Sequence, residues 1–337
     1  LSLEIRPIQP EDWPAAAQLL ASRHTFERRS QPLLPSKFED PTETISLVAA
    51  MLEAPASSGV IAWSDGEPVG FMAGLMRTPS PFGIEAKYAR SRAAFIPYAG
   101  HAIADPDDGE LYRQLYAAIA PEWLERGFFS HYIEVAALDY TASDAFVSLG
   151  FGRQTTLAAR RVSEPVAGEK PLDLDILRAG PSELDTVMEF VSMIAAHHAA
   201  PPSFLPYLRE PDAEIRESVL GWLNDWSNAY LLARREGKAV GMFGLRQHGY
   251  EPELARPERT IYLDDGAVAP SVRRGGVGIA LLREGMQWAH EAGFTVCLLH
   301  FLSANLAGSR FWQANGYWPV VHTLARHVDE RIVWAHG

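Results

Sequence analysis

The sequence holds one cysteine, Cys297, so neither a disulfide framework nor a cysteine-based zinc site can be built from it. Long apolar runs are missing too: none reaches the roughly 18 residues of a membrane span. Leu1 to Pro10 already carries Glu4 and Arg6 and reads as no apolar signal core. Positive charge is in short supply. Lys and Arg number 30 against 42 Asp and Glu, a net −12, which disfavours a nucleic-acid coat protein because a phosphate backbone wants a basic face. These absences set the expectations of a cytoplasmic protein with no metal, no membrane partner and no nucleic acid. What is present is 47% apolar and 21% charged over 337 residues, an ordinary globular composition with a full core. The length suits two medium domains better than one large one.

Self-comparison divides the chain. Each half opens with an apolar strand, an Arg and a helix start: Ile5-Arg6-Pro7 before Pro10-Glu11-Asp12, and Ile176-Leu177-Arg178 before Pro181-Ser182-Glu183. Each continues with two β-like runs about a charged or Gly-containing turn, at 59–71 and 229–242, which read as hairpins. Further on, Glu125 matches Glu291 and Gly150 matches Gly316, both pairs 166 residues apart. The chain is a tandem repeat of one α/β unit. Each copy is expected to run strand, helix, helix, hairpin, strand, helix, strand, helix, strand, with a late βαβ crossover. In the second copy the last elements fall at Thr260 to Val268, a helix through Leu281 and Met286, Thr295 to Phe301, and Ala307 to Ala314.

The sharpest local feature runs from Val268 through Arg273-Arg274-Gly275-Gly276-Val277-Gly278-Ile279 to Leu281. A strand ends, glycines follow a basic pair, and a helix begins. Glycines let the backbone approach a ligand, and successive N–H groups at a helix start favour an anion, here of pyrophosphate type. A glycine-rich helix start with no ligand is the plain alternative. A dinucleotide fingerprint lacks its acid about 20 residues on, and a Walker loop is excluded because no Lys-Ser/Thr follows the glycines.

Val268-x-Pro270-x-x-Arg273-x-x-Gly276-x-Gly278-x-x-Leu281 resembles the acyl-coenzyme A loop, (Arg/Gln)-x-x-Gly-x-(Gly/Ala), of the GNAT N-acetyltransferase superfamily. Asn305, Phe311-Trp312 and Gly316-Tyr317 follow in register and resemble that superfamily's Asn…Phe-Tyr…Gly-Phe helix and last strand. With the hairpin at 229–242, the likeness covers Leu174 to Val333, and the first copy more loosely. The layout resembles the tandem-domain type, similar to mycothiol synthase in pairing a competent copy with a degenerate one.

The resemblance implies an α/β (α+β) fold of two GNAT-like domains, each a mixed, splayed central sheet flanked by helices. Residues 1–162 would be the degenerate domain, 163–172 a linker and 173–337 the acetyl-CoA-binding domain. It implies direct transfer of an acetyl group from acetyl-CoA to a primary amine, expected on a small molecule. Two other outcomes stay open: a non-catalytic acyl-CoA sensor, and a protein N-terminal or lysine acetyltransferase. A homodimer is also left open. Pantetheine would lie between two splayed strands. The donor would be held by Val268, Arg273, Arg274, Gly275, Gly276, Val277, Gly278, Ile279, Asn305 and Phe311, although Asn305 reads equally well as a helix N-cap.

In the first copy the matching stretch is Ala102 to Leu111, with four acids and one glycine where the second has two arginines and three glycines. A diphosphate there would meet like charge, so this copy is expected not to bind the donor. The candidate bases are His300, Asp264 and Asp265. His300 stands where the ribosomal-protein N-acetyltransferases imply a glutamate, and Glu134 fills that place in the first copy; the plain alternative is a hydrogen-bonded core histidine. Asp264 and Asp265 enter the glycine loop, and strand alternation would point them to opposite faces. Either could take a proton or bind a cationic amine, or both could be solvated at a strand edge. Tyr262 lies on the Asp264 face. Trp312 stands where the family commonly has a Tyr acid, and indole N–H has no usable acidity. Cys297 reads as inert packing. His197-His198 and 199–208, including Tyr207, fall where the family builds its acceptor pocket. Trp222 and Trp226 read as core.

Overall fold

The computed structural model describes residues 2–80, 90–168, 173–206, 208–209, 212–247 and 249–334. Residues 169–172 of the expected linker, and Tyr207, lie outside the described residues.

The first half comprises β1 (Leu3–Pro7), α1 (Trp13–Ser30), α2 (Pro41–Leu52), β2 (Ser57–Ser64), β3 (Glu67–Arg77), β4 (Ala93–Ile96), β5 (His101–Ile103), α3 (Gly109–Glu125), β6 (Ser130–Ala136), α4 (Tyr140–Ser148) and β7 (Gly152–Arg161). The second comprises β8 (Asp175–Arg178), α5 (Leu184–Ala199), α6 (Asp212–Asn224), β9 (Ala229–Arg235), β10 (Lys238–Arg246), β11 (Thr260–Val268), α7 (Val277–Glu291), β12 (Val296–Leu302), α8 (Leu306–Ala314) and β13 (Trp318–His327). The order is the one the sequence implies, with one strand of the first half split into β4 and β5. Both hairpins close on two positive-φ residues, Asp65-Gly66 and Glu236-Gly237. That geometry matches the strand twist and makes a two-residue connection possible.

The strands among the described residues lie in one mixed sheet ordered β1-β2-β3-β4-β6-β13-β7-β12-β11-β10-β9-β8, with β5 on β3. The last strands are exchanged. β13 of the second half pairs with β6, while β7 of the first half pairs with β12. Leu157 opposite His300 on one side is mirrored by Thr323 opposite Glu134 on the other. Where β7 meets β13, Thr156 faces His322, its own repeat equivalent. A pseudo-two-fold axis therefore passes through that pair. The exchange is fastened by Arg160 on β7, which is buried and donates to the carbonyls of Asn315 and Glu164.

Helices cover both faces. In the first half α1 and α2 bury Leu20, Phe38 and Val48 on one side, and α3 and α4 bury Leu115, Trp123 and Phe146 on the other. In the second, α5 and α6 bring Val187, Phe190 and Val219 to one face, and α7 brings Ala280, Leu281 and Met286 to the other. Apolar residues at three- and four-residue spacing along α7 make that stripe.

Candidate active site

β11 and β12 are parallel and pair only over Thr260–Val296, Ile261–Cys297 and Tyr262–Leu298. Beyond that point the strands part, and their C-terminal ends open onto the start of α7. Pro270–Val272 forms a short 3-10 turn after β11, Arg274 has φ +64° and Gly276 caps α7 with φ +81°. A left-handed cap favours glycine because a Cβ clashes there. Further along, a Cβ on Gly278 would meet the Phe311 ring at 3.3 Å. The N–H groups of the first turn of α7 have no carbonyl within the helix to receive them, and they face the opening with the helix dipole behind them. Arg273 and Arg274 flank them. This cradle and the slot beside it fit a diphosphate followed by an extended, amide-bearing arm.

The cofactor residues read from the sequence converge here. Val268, Arg273, Arg274, Gly276, Val277, Gly278, Ile279, Asn305 and Phe311 line one cavity of about 1330 Å³. Gly275 lies behind the lining, where a Cβ would meet the Val272 carbonyl at 3.0 Å. Asn305 is the N-cap of α8: its Oδ1 accepts from Gly308 N–H at 3.0 Å and lies 3.2 Å from His197 Nε2. Trp312 is buried against Phe311, Phe243 and Tyr317. Cys297 accepts a hydrogen bond from the Tyr317 hydroxyl at 3.1 Å, and burial pushes its thiol up to about 12, which makes it inert.

The two aspartates differ from expectation. The β10–β11 register slips between Gly244 and Leu245, so Leu245 faces Leu263 while Gly244 faces Asp265. Asp264 is the extra residue of a β-bulge, and the bulge cancels the alternation. Both carboxylates point to the α5–α6 side instead of to opposite faces. Asp264 Oδ2 lies 2.6 Å from Arg246 Nη2, and the Tyr230 hydroxyl donates to Asp265 Oδ2 at 3.5 Å. Burial pushes the Asp264 carboxyl up, against the pull of Arg246. The Arg246 guanidinium is stacked 4.0 Å from the Trp222 ring centre, and Trp222 is stacked on Tyr230.

His300 lines the same cavity, with Nδ1 2.7 Å from the Tyr262 hydroxyl. Burial drives its imidazole down to about 4, so it is neutral at physiological pH. His197 and His198, at the end of α5, also line the wall, and burial lowers His198 to about 4. Trp222 is a wall residue, whereas Trp226 is 72% exposed with Arg178 over its ring and does not belong to the core. Sequence reading passed over Arg246 and Tyr230. An arginine ending an apolar strand was the available signal, since a buried guanidinium demands a carboxylate. Among the described residues no group of three or more His, Cys, Asp or Glu side chains could hold a metal ion.

The equivalent place in the first half is built differently. β4 pairs with β6 only as far as Ile96–Ile133, and the gap beyond is filled by protein. Arg23 of α1 donates to the carbonyls of His101 (2.5 Å) and Tyr98 (2.7 Å), and His101 Nε2 donates to the Glu134 carbonyl at 2.8 Å. At the start of α3, Asp108 caps the Leu111 N–H and Asp105 takes the Asp107 N–H. Carboxylates stand where the second half presents amides.

A splayed parallel pair aimed at a glycine-capped helix is the geometry on which the site rests. Comparison with known proteins shows what the chain is similar to. The sequence model of the Acetyltransferase (GNAT) family matches residues 193–317. A GCN5-related N-acetyltransferase from Sphaerobacter thermophilus is similar over 96% of this chain and 95% of its own, at 17% identity and TM-score 0.57. A tandem GNAT protein from the clavulanic acid biosynthesis pathway is similar over 97% and 98%, at 13% identity and TM-score 0.51. No curated protein matches the chain. Residues 193–317 are therefore similar to the GNAT acetyltransferase family, and the whole chain has the tandem GNAT fold. The chemistry of that family is acyl-CoA-dependent acetyl transfer. No helix among the described residues is long and apolar enough to cross a membrane.

Proposed function

We propose that the protein is a cytoplasmic N-acetyltransferase that moves an acetyl group from acetyl-CoA to a primary amine of a small molecule, with the chemistry in the second half. One observation carries this reading: a single cavity runs from the first-turn amides of α7, through the gap between β11 and β12, to the acidic lobe under α5 and α6. The gap in the first half holds Arg23 and His101 instead, which supports a division of labour between the copies.

Acetyl-CoA supplies an activated thioester carbonyl. The α7 amides, Arg273 and Arg274 hold its diphosphate, and Phe311 packs against Gly278 to wall the slot. An incoming amine arrives as its ammonium and is drawn to Asp264 and Asp265. Arg246 pairs with Asp264, and Asp265, beside that carboxylate and the Tyr230 hydroxyl, takes the ammonium proton. His300, neutral and fixed by Tyr262, orients the amine by hydrogen bonding. The amine nitrogen forms the amide C–N bond as the C–S bond breaks, and the thiolate takes a proton from Asp265 or water. Trp312, packed in the core, offers no acid for that step.

The direct test is a panel of small primary amines incubated with acetyl-CoA, with free thiol as the readout. Turnover of a compact amine supports the proposal. Tight coenzyme A binding without thiol release from any amine would sink it and leave the sensor reading, which Trp312 favours.

A further inference from the structure

The cavity does not stop at the second half. From the acidic lobe it crosses the exchanged strands, past His300, Thr155 and Thr323, to a far wall made by Phe95, Tyr132 and Glu134 of the first half. Glu134 is the repeat equivalent of His300 and sits opposite Thr323 on β6. It is only 8% exposed. Its Oε2 accepts one hydrogen bond, from Tyr98 N–H at 2.9 Å. Its backbone carbonyl is taken by His101, but among the described residues no hydrogen bond uses Oε1. A buried carboxylate with one hydrogen bond and no ion pair is stabilised when a cation joins it directly. The cations around it serve it only in part: Arg23 is tied to Glu27 and two carbonyls, and Arg77, exposed at the end of β3, pulls the carboxyl down through its charge without a hydrogen bond to it. The aromatic rings of Phe95 and Tyr132 beside it suit a cation as well.

We infer that Glu134 is a distal anchor for the acceptor, binding a second cationic group of an elongated molecule whose reacting amine lies near His300 and Asp265. The inference rests on the acetyltransferase reading above and narrows its substrate class. Three strand spacings separate β6 from β12, and two residues of register add to them, so the anchor lies about 15 Å from His300. A compact monoamine cannot span that distance. An acceptor with ammonium groups at both ends can. With nothing bound, burial holds the Glu134 carboxyl up at about 7; a cation arriving beside it completes its ionisation.

The experiment compares linear α,ω-diamines of increasing length with monoamines of the same length, in the intact protein, by thiol release. KM is expected to fall once a diamine is long enough to bridge the two ends, while the matched monoamines show no such drop. Glu134→Gln keeps an oxygen for the Tyr98 N–H. It should raise KM for the long diamine about tenfold, with kcat and the short-amine KM unchanged. A coenzyme A titration on the variant reports that the fold survives. Equal KM for diamine and monoamine at every length, or an E134Q effect shared by short amines, would overturn the anchor while leaving the transferase intact. Absence of thiol release from every amine would overturn both.

Discussion

Thr156 Oγ1 and His322 Nδ1 lie 3.0 Å apart, on strands that come from opposite halves of the chain, and both residues are buried. Burial lowers the His322 imidazole to about 4, with help from the charge of Arg153, so the pair is a neutral hydrogen bond at the centre of the exchange. Thr156→Val keeps the shape and strands a buried ring nitrogen. The expected cost is about 1–3 kcal/mol, read as a lower denaturant midpoint with an unchanged slope. No change in midpoint would mean that the pair contributes nothing.

The exchange predicts that the halves cannot be parted by cutting between them. A protease site placed near Ala167 should yield two fragments that still co-elute on size exclusion, because β7 remains between β13 and β12. Heating should give one transition. Fragments that separate without denaturant would contradict the topology.

Gly276→Glu should abolish coenzyme A binding measured by calorimetry. It places a carboxylate at the amide cradle and forces a side chain into a left-handed cap. Asp107→Ala, at the matching turn of the first half, should leave the binding constant untouched. Equal losses at the two positions would refute the assignment of the donor to the second half.

Asp265→Asn should reduce kcat by roughly 100-fold or more, the range of a general base, while the coenzyme A affinity stays put. His300 supplies a separate signature. Its imidazole protonates only near pH 4, so no inflection from it should appear between pH 6 and 7, and His300→Ala should lower kcat/KM without shifting the pH profile there. An inflection near 6.5 that vanishes in the variant would show instead that His300 titrates as a solvated histidine and acts as the base.

Acid should destabilise the fold steeply. His24, His131 and His322 are pushed down to about 4 and His101 to about 3, all mainly by burial. Unfolded, each would take a proton near 6.5. Between those values the unfolded chain binds more protons, so stability falls as pH drops from about 6.5 towards 4, by on the order of 3 kcal/mol per histidine. Glu134, held up at about 7, acts in the opposite sense and favours the fold below that pH. Denaturant midpoints taken from pH 7 to pH 4.5 check the sign. A flat profile would show that these rings are already protonated in the fold.

Much of this architecture is written locally. Turn chemistry at Asp65-Gly66 and Glu236-Gly237, the stripe along α7 and the Gly276 cap each act within a few residues, so period and composition disclose them. The exchange of β7 and β13 is not local: it depends on which of two equivalent edges each strand meets after 166 residues of intervening chain. The bulge at Asp264 inserts a single residue into an alternating pattern, and no composition marks it. Arg23 lies in the interior of α1, where its helical neighbours give no hint that its guanidinium reaches two carbonyls on another element. Glu134 was visible as the counterpart of His300, but that one cavity joins them follows only from the folded sheet.

That guanidinium has a lasting effect. By stitching shut the gap in the first copy, Arg23 turns what would have been a second mouth into a rigid floor. If the proposed anchor holds, substitutions on β4 and β6 should reshape the choice of acceptor without touching the α7 cradle. On the proposed reading, the duplicated half becomes the place where selectivity is tuned.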